Sequence, residues 1–324
     1  MHRLLPLAAL AAGLFVTPAA AQERAVWSGV FENDLVSSTD RNYTSGAEIT
    51  RAALAERGGA VHGLAEALMG ADGGQVVYGL GIGQSIFTPQ DKRATEPLPD
   101  QHPYAGWLYL KGDLLVARTS GARDRLGLQV GVIGPASLAE ETQNFVHDVV
   151  GAPKVEGWDN QIGNEPGFTV SFERQFPPRR LWDGAVSADI VPTAGVAAGT
   201  ILTQASLGLT ARFGLNLPDH LMPQRVKPAL AGTPWWPEGG AGGAYLFVGT
   251  EGRAVARNAF IEGRAFSGDV VTQDAETWVY DIQAGGVVTV WETQVSLTYV
   301  RRSEEFADQA RAEQFAAIGL ARRF

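Results

Sequence analysis

Alternation of apolar and polar residues with a period of two runs through most of this chain, and it restricts the fold more than any other feature. Leu126, Leu128, Val130 and Val132 alternate with Arg125, Gly127, Gln129 and Gly131. Phe168, Val170 and Phe172 alternate with Thr169, Ser171 and Glu173, and Val295, Leu297 and Tyr299 with Gln294, Ser296 and Thr298. Trp278, Tyr280 and Ile282 follow the same rule against Thr277, Asp281 and Gln283. Successive side chains of a strand point to opposite faces, so each stretch reads as a strand with one apolar face. The pattern predicts strands at 25–33, 44–53, 76–86, 104–118, 123–133, 165–176, 183–194, 201–213, 243–256, 276–289, 292–302 and 313–324. A sheet in lipid must close on itself, because open edges leave backbone groups unpaired in hydrocarbon. The expectation is therefore an all-β chain, a transmembrane antiparallel β-barrel of about twelve strands, an even number. A soluble β-sandwich or barrel is the rival fold.

The start of the chain places that barrel. Met1, His2 and Arg3 precede an apolar run from Leu4 to Val16, and Ala19, Ala20 and Ala21 stand before Gln22. These are the parts of a secretory signal peptide over 1–21, leaving one barrel domain over 22–324. No later stretch is long and apolar enough for a transmembrane helix. An exported barrel of this kind belongs in the outer membrane of a Gram-negative bacterium. The chain has no cysteine, which excludes disulfides and thiolate metal sites. Its net charge of −9 has no basic stripe, so nucleic acid is not expected as a partner.

With both termini on the periplasmic side, the outward connections are 34–43, 87–103, 134–164, 195–200, 257–275 and 303–312. The inward ones at 54–75 and 214–242 are longer than usual, and the second is rich in proline. One outward loop breaks the β pattern. From Ser137 to Gly151 the chain reads as a helix of about four turns, with Ser137 and Glu140 as a capping box and Gly151 as the stop. Leu138, Phe145, Val146 and Val149 fall on one side of it, and Gln143, Asn144 and His147 form a polar stripe.

Three outward loops hold the notable polar clusters: Glu32-Asn33-Asp34 with Asp40 to Gly46, Thr88 to Arg93 leading to PYAGW, and the helix followed by Gly157 to Pro166. Alternate connections return to one rim, so these loops can build a single site. The stretches ENDLVSSTDRNYTSG, PYAGW and QNFVHDVVGAPKVEGWDNQIGNEPG resemble the outer-membrane lipid A 3′-O-deacylases and their relatives, and the likeness runs over the mature chain. That resemblance implies a twelve-stranded barrel whose site lies between the wall and a loop helix. It also implies calcium-dependent hydrolysis of an ester-linked acyloxyacyl chain on lipid A, by a monomer in contact with outer-membrane lipid. Residue by residue, it makes Asn33, Thr44 and His147 catalytic, Asp34 a metal ligand, and Lys92 and Arg93 contacts for substrate.

The residue chemistry agrees. Ester hydrolysis needs a base, and neutral histidine suits pH 7. Oxygens of Asn33, Asp34 and Glu165 suit a hard cation such as Ca²⁺ better than zinc. Lys92 and Arg93 can pair with phosphate, and Gln143 on the helix stripe is a further substrate contact. Each has a plainer alternative. Asn33-Asp34 is also a turn signal, Thr44 can pair across strands, Glu165 can simply open a strand, and Lys92 and Arg93 can be solvated. Tyr104 and Trp107 are expected in an interfacial aromatic girdle. His62, His102 and His220 carry no motif. Two other functions fit the scaffold: an outer-membrane phospholipase, and a non-enzymatic barrel serving structure or passive transport.

Overall fold

The computed structural model describes residues 25–34, 42–218, 225–226, 242–269 and 272–324. The expected signal peptide lies outside the described residues, as does most of the proline-rich segment. Strands β1 (Ala25–Asn33), β2 (Asn42–Leu54), β3 (Gln75–Thr88), β4 (Ala105–Ala117), β5 (Arg123–Ile133) and β6 (Glu165–Gln175) pair in sequence order. After the short β7 (Arg179–Trp182) come β8 (Val186–Gly199), β9 (Leu202–Leu215), β10 (Gly243–Asn258), β11 (Trp278–Val290), β12 (Thr293–Arg302) and β13 (Glu313–Arg323). Every pairing is antiparallel; β1 pairs with β13 and β6 with β8, closing a barrel of twelve strands from which β7 stands apart. At the seam, Phe324 N–H donates to Ala25 O at 3.0 Å.

The expected strands are all present, with ends shifted by a few residues. The elements not anticipated include a second helix and a short extra strand. Residues 60–69 of the long inward connection form helix α1 (Ala60–Met69), and β7 extends the β6 edge downward beside β8 after the Pro177-Pro178 break. Neither has a period-two signature; a one-helix insert and a four-residue strand are decided by what they pack on.

Alternation has the expected consequence for the two faces. Leu80, Ile82, Leu110, Leu207 and Leu246 project outward and exposed, while the lumen is packed with charge. Lys111 Nζ donates to Glu48 Oε1 at 2.7 Å and lies 3.2 Å from Asp113, and Arg212 grips Asp189 through two bonds of 2.8 Å. Removing one partner of such a buried pair costs about 3–5 kcal/mol, because the other charge stays desolvated. Toward the outer end the lumen turns apolar. Tyr43, Phe87, Trp107, Ile133, Phe315 and Phe260, the last on the single-turn helix α3 (Ala259–Glu262), form one buried cluster. Phe87 stacks on Phe260 with centroids 4.4 Å apart, and on His102 at 5.3 Å. From the opposite end, Arg225 and Val226 reach into the lumen. Val226 N–H donates to Glu32 Oε1 at 2.9 Å, and Arg225 Nη1 to Gln283 at 3.1 Å.

Candidate active site

The site is built on the outer ends of β1 to β4, on the face that looks away from the lumen. In β1 the buried residues Val30 and Glu32 face inward, so Phe31 and Asn33 face outward. Asn33 Nδ2 donates to Thr44 O at 3.0 Å. Asp34, the next residue, is fully buried. In β2 the register against β3 slips between Tyr43 and Ser45, leaving Thr44 as the extra residue of a bulge. Bulges re-aim a side chain, and here the Thr44 hydroxyl meets that of Thr88 at 2.6 Å. Asn33, Asp34, Thr44 and Thr88 thus converge where β1, β2 and β3 end.

Helix α2 (Ala139–Val150) lies against the same wall. PYAGW is the reason it can. Gly106 faces outward on β4, and a Cβ there would sit 2.0 Å from Ser137 Oγ and 2.4 Å from Ala139 Cβ. Without a side chain at 106 the helix start seats directly on the strand, and Gln84 Nε2 secures it by donating to Ser137 O at 2.7 Å. Ile86, Tyr104, Ala139, Val155 and Trp158 fill the space between wall and loop. Tyr104 and Trp107 are therefore not girdle residues: Tyr104 packs on Trp158 under the loop, and Trp107 turns into the lumen beside Tyr109. Exposed aromatics near the strand ends include Trp278, Tyr280, Trp182 and Trp291.

The expected helix is present, but its start differs. Ser137 belongs to a tight turn and is buried against the wall, and the helix begins after Leu138 in a left-handed conformation without a side-chain cap. Packing at Gly106 takes Ser137 away from the capping role. Gly151 ends the helix with φ 70°, as expected. One turn earlier, His147 Nδ1 lies 2.5 Å from Pro153 O. A carbonyl only accepts, so Nδ1 carries the hydrogen, and in the neutral ring Nε2 keeps its lone pair. Gln143, one turn back on the same side, is buried and accepts from Trp158 Nε1 at 2.9 Å. Its Nε2 is buried without a hydrogen-bond partner in the protein. Such a donor costs about 1–3 kcal/mol unless something bonds it.

Loops from the other strands brace this arrangement. Lys92 O accepts from Glu156 N–H at 3.0 Å, Thr95 O from Asn160 Nδ2 at 2.7 Å, and Tyr104 O from Ile162 N–H at 2.9 Å. Lys92 and Arg93 sit on this outward loop, with Arg93 exposed and its N–H donating to Asp91 at 3.0 Å. Glu165 stands elsewhere. It opens β6, five strands from β1 in a ring of twelve, and its carboxylate accepts from the N–H groups of Ala265 and Phe266 at 2.7 and 3.0 Å. That position separates it from Asp34. Sequence reasoning gave no role to Thr88, Gln84 or Gly106, whose importance depends on neighbours supplied by other strands.

The donors around Asn33 fit a hard cation by type: a carboxylate, an amide oxygen and a hydroxyl. Among the described residues no group of three or more His, Cys, Asp or Glu side chains gathers. Any cation there would draw on amide, hydroxyl or carbonyl oxygens besides Asp34.

Comparison with known proteins places this architecture. No curated protein sequence matches the chain. Among solved structures, LpxR from Salmonella typhimurium is similar with a TM-score of 0.76 and 20% identity, covering 92% of this chain and all of that one. The β domain of the Bordetella autotransporter Brka follows with a TM-score of 0.47 and 12% identity, over 94% of this chain and 99% of that chain. The family described as outer membrane protein LpxR matches residues 5–324. The chain thus belongs to the outer-membrane LpxR family, the lipid A deacylase family that its loop motifs resemble.

Proposed function

We propose that this protein hydrolyses an ester-linked acyloxyacyl chain of lipid A in the outer leaflet, with His147 as general base and Ca²⁺ as cofactor. The observation that carries the reading is the bond from His147 Nδ1–H to Pro153 O, which leaves Nε2 to take a proton from water. The deprotonated water adds to the ester carbonyl carbon. The acyl–oxygen bond then breaks, and the released alkoxide regains the proton from His147. Gln143 Nε2, one turn back on the same helix, offers a donor for the substrate. Asn33, held through Thr44, and Asp34 would hold the cation, with the Thr44 hydroxyl beside them. When bound there, calcium supplies Lewis-acid stabilisation of the carbonyl oxygen as it gains charge. Lys92 and Arg93 on the adjoining loop suit lipid A phosphates, Arg93 through its planar fork. Glu165, tied to Ala265 and Phe266, is left out of the cation set.

The outward facing of Asn33 and the packing of α2 on the outside of the wall support a lipid substrate. The aromatic cluster across the outer lumen counts against passive transport. A monomer suffices, because every proposed residue comes from one chain. The test is mass spectrometry of lipid A incubated with the refolded protein, with calcium or with chelator. Loss of one acyloxyacyl unit only with calcium is the expected result. No mass change from folded protein overturns the reading, and cleavage of glycerophospholipid in its place would make the chain a phospholipase.

A further inference from the structure

The two strands beneath the loop helix are covered at both ends and bare between. On β3, the outward residues Val76 and Ile86 are buried, whereas Leu80 and Ile82 between them are exposed. On β4, Gly106 and Val116 are buried and Leu110 is exposed. Helix α2 covers the outer ends, with Ala139 against Ile86. Helix α1 covers the inner ends, where Ala65 packs with Val76 and Val116, and Met69 and Leu114 lie against them. From Val76 to Ile86 the strand rises about 33 Å, and a tilt of roughly 40° makes that ~25 Å of height. This is about the height of the apolar band of an outer-membrane barrel.

Each helix also carries large apolar side chains that are more than half exposed. On α1 these are Leu64 and Leu68, 51% and 57% exposed, and on α2 Phe145 and Val149, 59% and 54% exposed. Both pairs are spaced i, i+4 and so share one face. On α2 the exposed Glu141 and Asp148 border this face on one side, roughly 40–100° around the helix from Phe145 and Val149, and His147 lies roughly 160–200° from both.

We propose that α1 and α2 are in-plane membrane helices that bracket the lipid belt over β3 and β4. Leu64 and Leu68 sit among the acyl chains at the inner-leaflet boundary, and Phe145 and Val149 among those at the outer-leaflet boundary. Acyl chains are the occupant because these side chains continue the exposed band of Leu80, Ile82 and Leu110 at its two ends. A helix with one apolar and one polar face rests at such a boundary. The placement stands independently of the proposed reaction. Its use rests on that reading: α2 anchored by Phe145 and Val149 holds His147 on its opposite side, at headgroup level, where acyl esters of lipids lie.

The chain has no cysteine, so single cysteines can carry a nitroxide cleanly. The full chain with Phe145→Cys, Leu68→Cys, Leu110→Cys or Glu141→Cys is refolded into phosphatidylcholine vesicles. Spin relaxation by oxygen, which concentrates in acyl chains, is compared with that by a water-soluble nickel chelate. Labels at 145 and 68 should show an oxygen-to-nickel ratio near that at 110 and well above that at 141. A water-like ratio at either site removes its helix from the proposal. Shielding from both reagents would mean that protein, such as a second copy, covers the face, and overturns it as well. Hydrolysis assays on the unlabelled chain separate the two readings: lipid-like ratios without hydrolysis remove the reaction alone, and water-like ratios with hydrolysis remove the helices alone.

Discussion

Gly106 and Ser137 come so close that a single methyl group at 106 would lie 2.0 Å from the Ser137 hydroxyl. One strand residue therefore sets how near the loop helix approaches the wall, and with it where Gln143 and His147 stand. Gly106→Val should displace the helix start while leaving twelve strands paired. The overpacking cost is about 1–3 kcal/mol, confined to the loop. Limited proteolysis within 134–164 should accelerate, hydrolysis should fall, and heat-modifiability on gels should persist. Unchanged proteolysis and activity would show that the helix can sit further out without loss.

His147→Ala removes the group whose Nδ1–H is bonded to Pro153 O. Hydrolysis is expected to drop by about 10²–10⁴-fold, the usual contribution of a general base. The side chain is only partly buried, so the barrel should fold and remain heat-modifiable. Full activity in this variant, measured by mass spectrometry of lipid A, would rule out the base assignment.

Asp34→Ala tests the cation. With its buried carboxylate gone, turnover should either cease or lose its response to calcium across a titration against chelator. A calcium response identical to that of the parent protein would remove Asp34 from the cation set. Glu165→Gln provides a contrast: its effect should be on the loop carrying Ala265 and Phe266, with the calcium response unchanged.

His102 introduces a pH dependence at the mouth of the lumen. It is buried between Phe87 and Phe306, and burial holds its pKa below the ordinary 6.5. The folded state resists the proton that the unfolded chain accepts, so stability is complete above about 6.5 and declines as pH falls below it. His102→Phe should keep the stacking and flatten this part of the profile. The measurement is the gel-shift unfolding temperature between pH 7.5 and 5; equal slopes for parent and variant would remove His102 as the source.

Much of the barrel was legible because strand alternation is local: Leu126, Leu128 and Val130 face one way whatever surrounds them, and the lipid requirement closes the sheet. The loop helix was legible too, from its polar stripe and Gly151 stop. What the tertiary structure decided is which side of the wall each loop residue serves. A one-residue bulge at Thr44 re-aims its hydroxyl, and the missing side chain at Gly106 admits the helix on the outside. Tyr104 and Trp107 are drawn under the loop and into the lumen, away from the expected girdle. Ring closure sets Glu165 five strands from Asp34 although both open on one rim. Facing at strand ends and distance around the ring come from contacts between strands far apart in the chain, and a local period carries no record of them.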